Sequence, residues 1–184
     1  MLVFVAGATG VMGRRLVPLL VARGDVVAGL TRSQPDAVTA LGAEPVVCSA
    51  FDRERLTEEV QRFGPDVVVH QLTDLPDHEE ELQASVQENY RTRTEGTRNL
   101  LAAAGDAKTV AQSAAFPALV EEHENLLLAA GGVILRYGYW YGPGTWYVSK
   151  LPPKPRIHID EAAQRTVAAL DAPRGSVLDV VEDD

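Results

Sequence analysis

Three glycines near the start of the chain have the spacing needed to hold a phosphate. Gly7, Gly10 and Gly13 separate an apolar run from an amphipathic one in VFVAGATGVMGRRLV, residues 3–17. In a strand-to-helix turn, Gly7 would permit the tight turn, Gly10 would let a phosphate approach, and Gly13 would let the helix pack near the sheet. The N–H groups and dipole of the helix N-terminus favour a pyrophosphate. The segment therefore predicts dinucleotide binding, although the spacing is not G-x-G-x-x-G and a plain strand-to-helix turn is the alternative.

The end of the second predicted strand bears on which dinucleotide would bind. An NAD site usually has an acid there for the ribose 2′-hydroxyl, but this chain has Thr31, Arg32 and Ser33. A guanidinium flanked by hydroxyls suits a 2′-phosphate, because Arg binds phosphate oxygens with two parallel hydrogen bonds. Arg14 and Arg15 at the start of the first helix could add to this site. The pattern favours NADP as the cofactor, with NAD as the alternative if Arg32 is a solvated loop residue.

The elements that would position these residues alternate along the chain. Short β-branched runs are followed by longer amphipathic stretches, which is typical of βαβ units and a mostly parallel sheet. Continuous apolar runs such as VVVH indicate strands covered on both faces. The sequence predicts one α/β domain over residues 1–184, a doubly wound fold of the Rossmann type. The predicted strands are 2–6, 26–30, 46–48, 67–70, 109–112, 133–139 and 176–181, and the predicted helices are 11–23, 35–41, 53–63, 80–104, 118–130 and 160–170.

Composition limits the classes of partner. The chain has 184 residues, a formal net charge of −9 and one cysteine, Cys48. The acidic balance argues against nucleic acid or an anionic membrane as a partner. A single cysteine rules out an internal disulfide and fits a reducing compartment. There is no secretory leader pattern and no apolar run long enough to span a bilayer. We therefore expect a cytoplasmic protein, and the net charge leaves room for a small anionic ligand held in a local pocket.

Five segments, in order along the chain, resemble one family. They are GATGVMG at 7–13, PDVVVHQLT at 65–73, NYRTRTEGTRNLLAAA at 89–104, VILRYGYWYGPGT at 133–145 and IHIDEAAQRTVAAL at 157–170. Together they resemble the extended short-chain dehydrogenases/reductases, specifically the NAD-dependent epimerase/dehydratase group and its atypical members. The resemblance spans nearly the whole chain. It implies hydride transfer between a nicotinamide and a hydroxyl or carbonyl carbon of a small molecule.

The resemblance also implies which residues hold the cofactor. Asp52 would contact the adenine end, although it could equally be the N-cap of the helix that begins DRERL. The long fourth helix and the fifth helix could form a homodimer face, as in the family. The full set of implied cofactor residues is Gly7, Thr9, Gly10, Val11, Met12, Gly13, Thr31, Arg32, Ser33, Asp52, Gln71, Leu72, Thr73 and Asn89.

The implied catalytic groups are only partly present. The resemblance predicts a Ser or Thr at the end of the fifth strand and a Tyr-x-x-x-Lys on the next helix. Ser113 in VAQSAAF lies at the first position, although a strand-end hydroxyl bonded to the backbone is the alternative. No Tyr-x-x-x-Lys follows. The nearest imitation, Tyr147-Val-Ser-Lys150, has a spacing of three and lies beyond the sixth strand.

The segments that carry substrate contacts in the family look short here. They lie around 114–117, around 148–156 and after 184, so the substrate-capping region is short or missing. Either the chain lacks these loops, or this sequence omits segments that the molecule has. Two functions therefore remain open: an NADP-dependent oxidoreductase or epimerase, or an NADP(H)-binding protein without redox turnover.

Several other polar and aromatic residues invite a functional interpretation. Tyr137, Tyr139 and Tyr141 would share one face if the sixth strand continued that far, and could line a substrate pocket or simply pack under a loop. The cluster 121–124, EEHE, looks like a solvated helix face and predicts no metal site. His70 and His158 are expected to be structural. A role for Asp74, Asp77 and His78 has weak support.

Overall fold

The computed structural model of the chain describes residues 1–76, 78–115 and 120–183. Asp77, residues 116–119 and Asp184 lie outside the described residues, so the weakly supported role of Asp77 is not addressed. The strands within the described part are β1 (Leu2–Ala6), β2 (Val26–Thr31), β3 (Glu44–Val47), β4 (Val67–His70), β5 (Lys108–Ala114), β6 (Val133–Tyr137), β7 (Tyr139–Tyr141), β8 (Arg156–His158) and β9 (Val177–Val180). The α-helices are α1 (Gly13–Ala22), α2 (Pro35–Ala40), α3 (Arg53–Phe63), α4 (Leu82–Arg91), α5 (Thr97–Ala104), α6 (Glu121–Ala129) and α7 (Ile159–Ala168).

The main sheet confirms the predicted doubly wound α/β fold. Seven strands in the order β3-β2-β1-β4-β5-β6-β9 pair in parallel throughout. The chain crosses from β1 outward to β2 and β3, then returns to the other side of β1 with β4. Ligands in such sheets bind in the crevice at the carboxyl ends of the strands, where this reversal occurs. The crevice here lies beyond Ala6, between Leu30 and His70 of the neighbouring strands.

Helices cover both faces of this sheet, which explains the continuous apolar strands. Val3 and Val5 belong to the core with Leu16 and Leu20 of α1. Phe4, the residue between the two valines, belongs to the opposite core, which includes Leu56 of α3 and Leu100 of α5. Because side chains alternate along a strand, each strand must be apolar at every position to fill both layers.

The helix predicted over 80–104 is interrupted. A 3₁₀ turn at Glu79–Glu81 leads into α4, and a π-helical turn at Thr92–Gly96 separates α4 from α5. Within this turn the Thr94 hydroxyl donates to the carbonyl of Tyr90 at 2.9 Å, a back-bond of the kind that loosens and bends a helix. Such π-turns concentrate at functional sites, and Thr92 of this one donates to Asp74 in the segment after β4 at 2.8 Å.

The strand predicted over 133–139 ends at Tyr137. Gly138 lies where a Cβ would come within 2.5 Å of the Pro155 backbone. The chain therefore leaves the main sheet there, and β7 pairs with β8 in a separate two-stranded sheet, with Tyr139 opposite Arg156. The predicted end of the sixth strand at residue 139 is therefore wrong, and the condition under which Tyr137, Tyr139 and Tyr141 would share one face is not met.

Candidate active site

The glycine turn has the geometry predicted for a phosphate cradle. Gly7 has φ +94°, and a Cβ there would lie 2.9 Å from the carbonyl oxygen of Gln71. A Cβ on Gly13 would collide with the Gly7 carbonyl oxygen. Gly10, by contrast, is exposed, and a Cβ there would meet only the Gly7 oxygen at 3.4 Å. Gly7 and Gly13 are therefore required by packing, whereas Gly10 leaves an open ledge beside the N-terminus of α1 that a side chain would occupy.

Arg14 and Arg15 donate hydrogen bonds to backbone carbonyls of the glycine turn. Arg14 Nε donates to the Thr9 carbonyl at 2.7 Å. Arg15 donates to the Val11 carbonyl at 2.9 Å and to Asp160 at 2.6 Å, and also contacts the Pro143 carbonyl. Both guanidinium groups are thus bonded to backbone carbonyls of the turn or of the segment after β7, although Arg14 is exposed. Their contribution to a 2′-phosphate site stays a prediction. Met12 is buried at the start of α1.

The end of β2 presents an exposed cation to the crevice. Thr31 is buried, and its hydroxyl accepts from the Gln34 N–H at 3.1 Å. The Arg32 side chain is 74% exposed, and it forms a loose ion pair of 3.9 Å with Asp74. Ser33 beside it is exposed. The end of β2 thus offers a guanidinium that can change partners without breaking a buried contact.

The segment after β4 forms the other wall and carries an unsatisfied amide. Gln71 is 6% exposed. Its side chain lies close enough to Tyr137 to lower the pKa of that phenol, but within the described residues neither its Nε2 nor its Oε1 forms a hydrogen bond of normal geometry. A buried polar group without partners is costly, so this amide fits a site completed by a ligand. The Leu72 N–H donates to His70 at 3.2 Å, Thr73 is half-buried, and Asn89 accepts from the Asp74 N–H at 3.2 Å.

Asp52 follows β3 at the same edge of the sheet. Its Oδ1 accepts from the N–H of Arg55 at 3.2 Å, which makes it the N-cap of α3. The N-cap interpretation of this residue is therefore confirmed, and a cap of this kind contributes about 1 kcal/mol. Because its carboxylate is exposed, a contact with adenine stays a prediction.

Ser113 lies in a buried, charged network rather than at an open surface. Its hydroxyl donates to Glu124 Oε1 at 2.6 Å, and the residue is 1% exposed. Arg136, directly opposite Ser113 on β6, donates to both oxygens of that carboxylate at 3.0 and 2.6 Å. The bond from Arg136 holds the pKa of Glu124 below its usual value, against the opposing effect of burial. The catalytic role of Ser113 stays a prediction.

The expectation of a solvated face over 121–124 is wrong. His123 is 2% and Glu124 6% exposed, because α6 turns these two residues onto β5 and β6. Sequence reasoning missed them, although a signal was present. Arg136 interrupts the apolar strand VILRY, and a charge in such a position needs a buried partner.

His123 also joins a second buried network with His70. Thr97 Oγ1 lies 2.8 Å from His70 Nε2 and 3.0 Å from His123 Nδ1. The two rings meet edge to face with centroids 5.4 Å apart. Burial lowers the pKa of both histidines, that of His70 well below its usual value. Both rings are therefore neutral near pH 7. His158, whose ring accepts the Asp160 N–H at 3.3 Å, caps α7.

Tyr137, Tyr141 and Tyr147 all have a raised pKa, the opposite of an activated phenol. Burial raises the pKa of Tyr137 to about 12, and its hydroxyl lies 2.6 Å from that of Thr166. The hydrogen bond to Glu79 raises the pKa of Tyr147 to about 12. Burial and Glu182 raise that of Tyr141. An acid–base tyrosine needs the opposite shift. The Tyr147 hydroxyl donates to Glu79 at 2.8 Å, and Lys150 is exposed.

The described residues contain neither a metal-binding cluster nor a membrane-spanning helix. No group of three His, Cys, Asp or Glu side chains there could hold a metal ion. Among the helices described, none is both long and apolar enough to cross a membrane.

Comparisons with known proteins agree with this geometry. The family model described as the NAD dependent epimerase/dehydratase family matches residues 3–118. A 3-diazoavenalumate denitrifying reductase of Streptomyces sp. is 36% identical over 236 residues, which cover 100% of this chain and 77% of that protein. A 4-hydroxy-2-methyl-3-oxo-4-farnesyl-3,4-dihydroquinoline-1-oxide ketoreductase of Stigmatella aurantiaca is 40% identical over 109 residues, 57% of this chain and 30% of that protein.

Solved structures share the fold at lower identity. The UDP-glucose 4-epimerase from Thermus thermophilus in complex with NAD superposes with a TM-score of 0.82 at 21% identity, covering 100% of this chain and 78% of that one. The UDP-glucose 4-epimerase from Brucella ovis in complex with NAD gives a TM-score of 0.77 at 17% identity, covering 98% of this chain and 77% of that one.

Acidification should destabilise the protein through His70. Because the folded state keeps this ring neutral, the unfolded chain alone takes up the proton as the pH falls below about 6.5. The free energy of unfolding should fall on going from about pH 7.5 to about pH 5.5, by at most about 1.4 kcal/mol per pH unit for one such histidine. The free energy of unfolding, measured by urea titration, should depend less steeply on pH in His70→Gln than in the native protein. The exposed His78, changed to Gln, is the control and should keep the native slope. A native slope in His70→Gln would contradict this assignment.

Proposed function

We propose that this chain, which belongs to the NAD-dependent epimerase/dehydratase family, is an oxidoreductase that uses NADP(H) on a hydroxyl or carbonyl carbon of a small molecule. Its family indicates a nicotinamide dinucleotide as the cofactor. The observation that carries the proposal is the open ledge at Gly10, beside the N-terminus of α1 and at the point where the strand order reverses. The first N–H groups of a helix have no intrahelical partner. Those of the turn formed by Val11, Met12 and Gly13 would bind the pyrophosphate.

The choice of NADP over NAD rests on Arg32. An acid at the end of β2 would repel a 2′-phosphate, but this chain places an exposed guanidinium there. Arg32 would exchange its loose contact with Asp74 for the phosphate, which can accept two parallel hydrogen bonds. The neighbouring Ser33 would add a hydroxyl. Asp52, which caps α3, would face the adenine end of the cofactor with its exposed carboxylate.

The reacting end of the site would lie between β4 and β5. A bound nicotinamide would supply or accept hydride there. The unsatisfied amide of Gln71 would gain partners from the ligand. Ser113 would orient the substrate oxygen only by giving up its bond to Glu124, which Arg136 would continue to hold. Reduction of a carbonyl also requires a proton at its oxygen.

The relatives support a reductase whose substrate-capping segments are shorter than theirs. Two of them are named as reductases. The alignment with the first runs over 236 residues, against 184 in this chain. We infer that a single NAD(P)-binding domain spans residues 1–184 and that the segments at 114–117 and 148–156 are shorter than in that relative. A homodimer through the helices of this domain stays a prediction.

A second function, binding of NADP(H) without redox turnover, is favoured by one observation. The chain has no Tyr-x-x-x-Lys, and the pKa of Tyr137 and that of Tyr147 are both raised rather than lowered. A protein of this kind would sense the cofactor or retain it for structure.

Arg32→Ala should weaken NADPH binding without affecting NADH. Loss of a charge-assisted contact to phosphate should raise the Kd for NADPH by about tenfold or more. The Kd for NADH should change by less than about twofold, because that cofactor has no 2′-phosphate. Fluorescence titration of both cofactors into both proteins measures the ratio. Arg62→Ala, an exposed arginine in the last turn of α3, is the control and should bind both cofactors as the native protein does. Equal losses for the two cofactors in Arg32→Ala would contradict the proposed role of Arg32, and failure of the native chain to bind either cofactor would overturn both functions.

Turnover should separate the two functions. We expect the native protein with saturating NADPH to oxidise it in the presence of at least one member of a panel of aldehydes, ketones and nucleotide sugars. The readout is the loss of nicotinamide absorbance, compared with a reaction without substrate. Binding of NADPH with no oxidation across the panel would contradict the oxidoreductase and favour the binding protein.

A further inference from the structure

A cavity of about 560 Å³ lies between α4 and the start of α6, and Asn89 is the one residue of its lining that belongs to the expected cofactor set. This volume is typical of pockets that hold a small organic ligand. Asn89 lines the cavity and also accepts the N–H of Asp74. Asp74 in turn forms the loose ion pair with Arg32. The cavity therefore adjoins the segment after β4 that forms one wall of the cofactor crevice.

Arg93 lines this cavity as a buried cation without a counter-ion among the described residues. It lies in the π-helical turn and is 7% exposed. Its Nη1 is out of contact with solvent and has no hydrogen-bond partner there. Buried charges in proteins are normally paired, because desolvation of an isolated ion is costly. Within the described part of the chain, no carboxylate forms an ion pair with this guanidinium.

Glu124, the carboxylate whose charge acts on Arg93, is already bound by Arg136. Arg136 binds both oxygens of Glu124, and Ser113 binds one of them. The backbone of Arg93 is also fixed, because its carbonyl oxygen lies 2.9 Å from His123 Nδ1. Burial lowers the pKa of Arg93 only to about 10, so the group is charged at neutral pH. A positioned charge of this kind suits an anion from outside the chain.

The rest of the lining limits what that anion can be. Apolar side chains make up much of the wall, and Tyr90 adds an aromatic ring; the apolar members are Leu75, Leu82, Val86 and Val120. Two acids, Glu121 and Glu122, also line the cavity. Glu122 is paired with Arg98 and bound by Tyr90, whereas Glu121 is exposed. These carboxylates would repel a multiply charged pyrophosphate more strongly than a ligand with one charge placed on Arg93.

We propose that this cavity binds a monocarboxylate with an apolar, aromatic body, its carboxylate on Arg93 and its body against the apolar side of α4. This inference rests on the proposed function, because the monocarboxylate would be the substrate of the proposed oxidoreductase. A planar guanidinium matches a carboxylate through two parallel hydrogen bonds. The apolar wall would account for the remaining contact area. A nucleoside diphosphate sugar would leave its second charge facing Glu121.

The test is calorimetric titration of the full chain, saturated with NADP, with cinnamate and with cinnamamide. The two probes share the same body, and only cinnamate has the negative charge. Cinnamate should bind at least about tenfold more tightly than cinnamamide, since hydrogen bonds to charged groups are the strong ones. Arg93→Met should remove most of this difference, and Arg93→Lys should retain part of it. Arg91→Met, an exposed arginine two residues away, is the control and should bind cinnamate as the native protein does.

Thermal unfolding without ligand gives a second readout that does not depend on binding. Because Arg93 is an uncompensated buried charge, Arg93→Met should unfold at a higher temperature than the native protein. Equal affinity for cinnamate and cinnamamide, native cinnamate affinity in Arg93→Met, or tighter binding of UDP-glucose than of cinnamate would overturn the inference. If NADP binds and cinnamate does not, the inference fails and the proposed function stands. If cinnamate binds through Arg93 and NADP does not bind, the proposed function fails instead.

Discussion

The close approach of the Gly7 backbone to the carbonyl of Gln71 is the constraint on which the candidate site depends. No side chain fits between these two segments, so β1 and β4 can end side by side only with glycine at this position. Gly13 then lets α1 begin directly above the Gly7 carbonyl. The same packing leaves Gly10 open at the helix N-terminus. Backbone sterics and not a particular side chain therefore create the phosphate ledge.

The carboxyl ends of β5 and β6 are organised by buried charge rather than by sterics. Arg136 and Glu124 satisfy each other and fix the Ser113 hydroxyl. His70 and His123 are held neutral and bonded through Thr97. Arg93, close to both groups, has no such partner within the described residues. A paired buried charge needs nothing further, whereas an unpaired one is stable only because the surrounding packing tolerates its cost. Arg136 and Glu124 therefore stabilise the fold, whereas Arg93 is positioned to bind a ligand.

Much of the fold, and the glycine turn of the candidate cofactor site, could be predicted because the signals were local. Apolar runs of two-sided strands and the spacing of Gly7, Gly10 and Gly13 depend only on neighbouring residues. The burial of His123 and Glu124 could not be predicted from EEHE, because the pattern of a buried polar network is the same as that of a solvated helix face. The end of β6 at Gly138 was hidden by the continuing alternation of tyrosines, and depends on Pro155, far away in sequence. Arg93 stands in a helical run whose π-turn is visible only in three dimensions.

Hydrogen exchange measured by mass spectrometry, with and without NADPH, tests the central claim most directly, because it locates the cofactor without relying on catalysis. The account predicts slower exchange with NADPH in three segments, residues 7–13, 31–33 and 71–73, which meet at the carboxyl ends of β1, β2 and β4. Residues 82–88 of α4, on the side of the cavity away from Asn89, should exchange as before. Unchanged exchange in 7–13, or protection confined to α4, would contradict the assignment of the crevice as the cofactor site.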